Sequence, residues 1–404
     1  MAKRTVRKKV AMANDQTASA GRYRAGRLVG AAVLINVAMG AIYAWGVFLL
    51  PLESYLSISR GELSACPTVA LIFFTVGMVL HDRLLRTLGR RRFCVLAFAL
   101  AGGGHLLFAA VPGYWPLLVG YGGLFGFGSG LGYGLALSLT SETAPDKRAL
   151  AIGMTMAAFS SNGIVLPLAL AGIIQSHSPA YIFGLLGLTI LAIGGCSIAL
   201  LWTEPDERSD RVRSNQPHVT PIAASSGNFI KLAVIFFCIC FVGLMTISQL
   251  AGMVSAHGLD AFVGYSLSIF TLGYLFGSLF GGQVVQWLGG WKTLLLASLV
   301  TAVGLVFLDF KIPTLILIGA TLIGTTFGSS ASLMPTLVGQ LYGFERIGEI
   351  YGRLMISYGL AGLVAPWGTG ALYAAFGDYR PAIFASLGMC LISGALAFSF
   401  RQSR

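Results

Sequence analysis

Charge is what this chain of 404 residues has least of: only 10% of its residues are Asp, Glu, Lys or Arg, against about a quarter in an average soluble domain. With 56% of its residues hydrophobic, it cannot cover a core with a water-facing surface. Acid is scarcer than base, 15 residues against 27, and every Asp and Glu maps to the end of an apolar run or outside one. Cysteine is sparse too. Cys66, Cys94, Cys196, Cys238, Cys240 and Cys390 lie in or at the ends of apolar runs and form no CxxC pair, so they read as small core residues, with no metal centre or disulfide framework. Nucleophile and base pairs, an HExxH helix and a Walker loop are all missing. Their absence argues against an enzyme and against ATP-driven work, and calls for no cofactor and no metal.

What the chain does have is apolar runs long enough to cross a bilayer, for which about 20 residues suffice. Twelve such runs are expected, over 27–50, 63–81, 92–112, 114–140, 149–174, 179–202, 229–254, 261–286, 291–310, 313–339, 347–376 and 380–400. The partner of this surface is the lipid bilayer. A net charge of +12 raises the question of nucleic acid, and the placement of the basic residues answers it. If the N-terminus is inside, only Arg60, Lys311 and Arg380 of the 27 fall outside. This positive-inside bias predicts an inner-membrane protein with both termini cytoplasmic and leaves no charge for nucleic acid to explain. The opening Lys3, Arg4, Arg7, Lys8 and Lys9 are followed by Asn14, Asp15, Gln16 and Thr17 instead of an apolar core, so residues 1–26 read as a basic cytoplasmic tail and not as a signal peptide.

The longest polar stretch, 204–228, divides the runs six and six. It is read as a cytoplasmic linker between bundles over 27–203 and 229–404. The halves echo each other: Leu88, Gly89 and Arg92 correspond to Leu288, Gly289 and Lys292 at an offset of 200 residues, and Arg148 before Gly153 corresponds to Arg346 before Gly352. Composition alone rarely produces such a match. The fold expected is an all-α membrane protein of twelve transmembrane helices in two pseudo-symmetric six-helix bundles, the layout in which a solute binds between the halves near the midplane.

Several motifs carry a family resemblance: Pro145-Asp146-Lys147-Arg148 with Leu150, Ala151 and Gly153, the Gly130-Leu131-Gly132-Tyr133-Gly134 run, Tyr43-Ala44-Trp45, and Met334-Pro335-Thr336. With them the chain resembles the oxalate:formate antiporter and monocarboxylate porter branch of the major facilitator superfamily. The resemblance implies the major facilitator fold, a monomer, and alternating-access movement of a small organic anion by exchange or uptake. It also marks departures. The superfamily loop keeps Gly89, Arg90 and Arg91, but Asp82 and Arg86 stand where glycine and aspartate are expected, and Asp82 is a candidate substitute for the acid one turn earlier. Asp82, Gly89, Arg90, Arg91, Asp146, Arg148 and Gly289 are thus the candidate structural-loop residues. Ser278 and Tyr358 occupy the positions of the antiporter's arginine and lysine, and Tyr274 that of the porters' acid.

Candidate substrate-lining residues follow from uncharged polar side chains inside apolar runs. Asn36 and Tyr43 lie seven apart, about 700° of rotation and so one helix face; Tyr274 and Ser278 are an i, i+4 pair; Tyr358, Tyr133, Asn162 and Gln249 complete the set. Interhelical hydrogen bonding is the competing role for each. His105, alone among apolar neighbours, is a candidate coupling group with a plain helix contact as its competitor. Arg353 and Glu349, four residues apart, suit an ion pair or a gate. Glycines every fourth residue, at 122, 126, 130 and 134 and again at 273, 277 and 281, predict close helix packing. A carrier or exporter of a neutral polar or amphipathic metabolite, or a transporter-like sensor, is the alternative function.

Overall fold

The computed structural model describes residues 24–170, 172–202 and 227–400; the basic tail and the linker between halves lie almost wholly outside the described residues. All regular structure among the described residues is helical. In chain order the helices are α1 (Arg24–Leu56), α2 and α3 (the parts of Ala65–Ala110 on either side of Gly89), α4 (114–141), α5 (Pro145–Leu170) and α6 (Pro179–Trp202). The second half repeats the count with α7 (Gly227–Ala256), α8 (Val263–Leu288), α9 (Gly290–Leu308), α10 (Pro313–Tyr342), α11 (Ile347–Phe376) and α12 (Arg380–Ser399). Nine helices among the described residues are long and apolar enough to cross a membrane, Ala65–Ala110 counting once. Its break at Gly89, the interrupted α4 and the more polar α11 bring the crossings to twelve.

One expectation needs correction. The stretch 82–91, expected as a polar loop, stays helical except at Gly89, whose φ of 72° and ψ of 163° turn α2 directly into α3. Gly289 does the same between α8 and α9 with φ 82° and ψ 160°. Only glycine takes such a backbone without strain, which explains why the repeat keeps this residue. In α4 the segment Leu118–Phe125 is a π-helix, and in α1 the turn Gly40–Ala44 is a 3₁₀-helix; both are local departures that reorient side chains within a span.

Small residues set the helix spacing. A Cβ on Gly126 would stand 2.6 Å from the Ala70 carbonyl oxygen, and one on Gly130 would collide with that of Phe74, so α4 rides directly on α2. In the second half, Gly277 on α8 meets the Thr325 carbonyl and Gly328 on α10 meets that of Tyr274. Where lipid offers no hydrophobic drive between helices, such backbone approach and interhelical hydrogen bonds supply cohesion. Thr301 and Thr326, 2.7 Å apart, tie α9 to α10, and Ser298 and Ser393, 2.8 Å apart, tie α9 to α12.

The halves meet along two crossings, α2 with α11 and α5 with α8. Near the end of the molecule that carries Gly89 and Gly289, hereafter the basic end, these crossings are backbone to backbone. A Cβ on Gly352 would lie 2.5 Å from the Met78 carbonyl oxygen, and one on Gly153 would collide with that of Leu279. Toward the opposite end the glycines of the crossings meet side chains instead of backbone: a Cβ on Gly359 would lie 2.7 Å from the Thr75 hydroxyl, one on Gly163 3.6 Å from Thr271 and one on Gly362 3.7 Å from Leu71. The molecule is therefore shut at its basic end and looser at the other.

Candidate functional site

Two cavities matter. The larger, about 1240 Å³, opens at the basic end and is lined by helix termini and charged loop residues, among them Arg24, Asp82, Arg90, Glu142 and Arg148. The smaller, about 30 Å³, lies at the centre, bordered by α1, α2, α4, α5, α7, α8, α10 and α11. Volume favours the first as a binding site; position favours the second, because both halves converge on it and the closed crossings separate it from the basic end. We take the central cavity as the site. As it stands it holds only one or two water-sized groups, so a larger occupant requires the halves to part.

Its walls are aromatic. Tyr43 rises from the 3₁₀ turn of α1, where Gly40 is pressed against the backbone of Phe159 on α5 and fixes the bend. The Tyr43 hydroxyl lies 3.1 Å from that of Tyr274 on α8 and 3.5 Å from that of Tyr358 on α11, so one phenol of the first half bridges two of the second. Tyr133 on α4 and Tyr351 on α11 also border the cavity. Phe74, Phe159 and Phe327 fill the spaces between, with ring centroids 5.4 Å (Tyr43 to Phe159), 5.6 Å (Phe74 to Tyr133) and 5.0 Å (Tyr274 to Phe327) apart in edge-on contacts. Ser330 on α10 adds a hydroxyl to the lining. Among the described residues, no Asp, Glu, Lys, Arg or His borders the cavity. The arrangement can hold a compact solute through several neutral donors and acceptors and can stack on flat apolar surface; it offers no fixed counter-charge.

Of the residues singled out in the sequence, Tyr43, Tyr133, Tyr274 and Tyr358 come together here. Asn36 and Asn162 do not border the cavity. Asn36 donates to the Thr155 carbonyl at 2.8 Å and Asn162 to that of Val37 at 2.8 Å, stitching α1 to α5. Ser278 is fully buried and donates to the backbone of Tyr274 (2.9 Å) and of Gly328 (3.1 Å) at the α8 and α10 crossing. Gln249 accepts from the Tyr379 hydroxyl at 3.4 Å, beyond the centre toward the looser end. His105 stands apart, its Nδ1 3.0 Å from the Ala101 carbonyl and its ring among Tyr121, Phe125 and Phe183.

The charged candidates gather at the basic end. Arg90 pairs with Glu142 at 2.5 Å and joins the α2–α3 turn to the end of α4. Asp82 pairs with Arg86 at 2.7 Å on its own helix, and its Oδ1 also lies against Gly348 in the first turn of α11, where a helix N-terminus favours a carboxylate. Arg91 reaches the Trp202 carbonyl and lies over the Trp202 ring. Arg148 bonds the Thr143 carbonyl at 2.9 Å and stacks 4.1 Å over Phe344 from the other half. Asp146 sits in the first turn of α5, and Glu349 bridges Arg353 at 2.9 Å and Arg346 at 3.6 Å.

Sequence reasoning misses Phe74, Phe159 and Phe327 as wall residues, because an apolar ring in a span looks the same facing lipid or facing a cavity. The repeat carries a usable signal: Phe74 lies 200 residues before Tyr274, and Phe159 lies 199 before Tyr358.

Comparison with known proteins bears on the whole chain. A profile of the Major Facilitator Superfamily matches residues 30–308 and 232–404. The aspyridones efflux protein apdF of Emericella nidulans is 26% identical over 298 residues, covering 72% of this chain; the chain spans only 59% of that relative's length. The uncharacterized MFS-type transporter YhjX of Escherichia coli is 19% identical over 82% of this chain and 84% of its own. Among solved structures, the proton:xylose symporter XylE bound to 6-bromo-6-deoxy-D-glucose superposes with a TM-score of 0.76 at 15% identity, covering 94% of this chain and 96% of that one. A bacterial homologue of the iron transporter ferroportin, in an outward-facing state, gives 0.71 at 15% identity over 94% of this chain and 100% of that one. At such identities these structures speak for the fold alone.

Proposed function

The chain belongs to the Major Facilitator Superfamily and is a membrane transporter, and from that premise we propose that it carries a compact organic solute by secondary, alternating-access transport through the central tyrosine-lined cavity. The observation that carries the proposal is the Tyr43, Tyr274 and Tyr358 cluster, in which one half of the molecule hydrogen-bonds to the other at the point both line. A solute bound there replaces those bonds and so bears on the contact between halves. By the bias of basic residues, the basic end faces the cytoplasm of the inner membrane, both termini with it; the bundles over 27–203 and 229–404 follow from the repeat and the linker, and the monomer from the family resemblance. The state described is then closed to the cytoplasm.

The substrate class we infer is a short monocarboxylate, on the branch resemblance in the sequence. A neutral or amphipathic metabolite is the second reading, favoured by the uncharged lining and by a relative whose name is that of an efflux protein. A thermal-shift screen of purified protein against mono- and dicarboxylates, sugars and neutral metabolites separates them. Carboxylates are expected to stabilise it, and a screen in which only neutral compounds do so overturns the monocarboxylate class. Counterflow of the hit in proteoliposomes is expected; a ligand that binds without exchanging across the bilayer identifies a sensor and sinks the transport mechanism.

A further inference from the structure

A short carboxylate is an anion at neutral pH, yet the central cavity gives it no cation. Among the described residues its ionisable neighbours are Tyr43 on α1, Tyr133 on α4, Tyr274 on α8, and Tyr351 and Tyr358 on α11, with Cys240 of α7 buried nearby; α2, α5 and α10 contribute none. Phenols and thiols ordinarily ionise only above about pH 8, so the walls stay neutral across the physiological range. The nearest charges face elsewhere. Arg353 is rotated about 200° from both Tyr351 and Met355, which line the cavity, and is paired with Glu349. Asp82 is held by Arg86 near the basic end. His81, two turns below Phe74, has its Nδ1 2.5 Å from the Met78 carbonyl and lies at the closed crossing beneath the cavity, against Gly134 and Gly348.

Stripping a carboxylate of water without a counter-charge is far costlier than protonating it, which lowers the bindable fraction about tenfold per pH unit above the acid's pKa. Resting on the monocarboxylate class above, we propose that the cavity binds the uncharged carboxylic acid, so that the coupled proton crosses on the substrate and on no side chain of the protein. The step balances without a co-reactant. The anion takes one proton from water at the open end, RCOO⁻ + H⁺ → RCOOH, and returns it at the other, one proton and one carboxylate together with no net charge moved. The acid O–H donates to one phenol oxygen while its carbonyl accepts from another. The bridging geometry of Tyr43, 3.1 and 3.5 Å from its two partners, presents three hydroxyls that rearrange around a single carboxyl group.

Equilibrium binding of radiolabelled lactate, of the stronger acid trifluorolactate and of the neutral isostere lactamide to the purified full chain, from pH 5 to pH 8, tests this. Lactate affinity is expected to fall about tenfold per pH unit, trifluorolactate to follow a parallel line displaced by the difference in the two acids' pKa values, and lactamide to bind equally at every pH. Tyr358→Phe and Tyr274→Phe are each expected to weaken all three. Lactate binding that is the same at pH 5 and pH 8 shows that the anion binds and overturns the proposal while leaving the substrate class standing. One inflection shared by both acids, whatever their pKa, points to a protein group such as His81 and overturns it as well. If neither acid binds at any pH, the monocarboxylate class itself falls, and the proposal with it.

Discussion

The two halves line the centre with the same rings and different chemistry. Phe74 on α2 answers Tyr274 on α8, and Phe159 on α5 answers Tyr358 on α11; all four border the cavity, and only the second-half members carry a hydroxyl. The first half contributes its oxygens from elsewhere, through Tyr43 and Tyr133, whose counterparts 200 residues on are Gly243 and Leu333. Gly243 leaves no room for a ring, because Phe327 already fills that space. The crossings are far more alike: Gly153 lies on the Leu279 carbonyl and Gly352 on that of Met78. The repeat thus preserves shape and closure, while polarity is set by single oxygens that differ between halves.

Four experiments break or sharpen this comparison. Gly352→Val forces side-chain volume into a backbone crossing, an overpacking worth about 1–3 kcal/mol against the closed state, hence about 5- to 150-fold in the balance of conformations. Proteoliposome exchange should fall accordingly and Gly153→Val should match it; normal exchange by either variant would show that the crossings are not equivalent. At the centre, Tyr358→Phe is expected to weaken substrate binding by about tenfold, the measure of one hydrogen bond of about 1.4 kcal/mol. Its mirror, Phe159→Tyr, should add a hydroxyl and alter selectivity without loss of folding, and unchanged binding in both would remove these positions from the site. In detergent melts, Arg90→Ala should cost about 1.5–3 kcal/mol by breaking a charge-assisted hydrogen bond, whereas Lys292→Ala should stay within about 0.5 kcal/mol; equal losses would make the two loops alike in energy as well as in sequence. Finally, His105→Leu, remote from the cavity, should change affinity by less than about twofold, and a larger change in titration binding would connect the α3 aromatic cluster to the centre.

Much of the architecture is legible in the residues themselves. Run length, the placement of basic residues and the echo of Leu88-Gly89 in Leu288-Gly289 point to the twelve helices and the two halves without any coordinates. The site is legible only in part. A phenol in an apolar run announces itself, so Tyr43, Tyr133, Tyr274 and Tyr358 stand out. Asn36, Asn162 and Ser278 send the same polar signal, but their hydrogen bonds go to backbone carbonyls of neighbouring helices, a choice decided by helix rotation within a few tens of degrees and invisible to spacing. Phe74 and Phe159 send no signal in hydropathy, which does not distinguish a ring against lipid from a ring against a solute; only their place in the repeat, opposite Tyr274 and Tyr358, marks them. The helical course of 82–91 escapes for the opposite reason: its charges look like a loop, yet Glu142 and Asp82 hold its arginines and a single glycine makes the turn.

That turn has a mechanical consequence. A loop of several residues lets two rods move independently, its slack absorbing whatever one does before the other feels it. Between α2 and α3, and again between α8 and α9, the slack is one residue, Gly89 or Gly289. Each pair is a jointed lever with a fixed knee, and because α2 and α8 are also the helices that press on the opposite half, any tilt at the crossings is handed on to α3 and α9 at the periphery. The outer helices are then driven parts of the machine, and the lipid around them moves when the centre does.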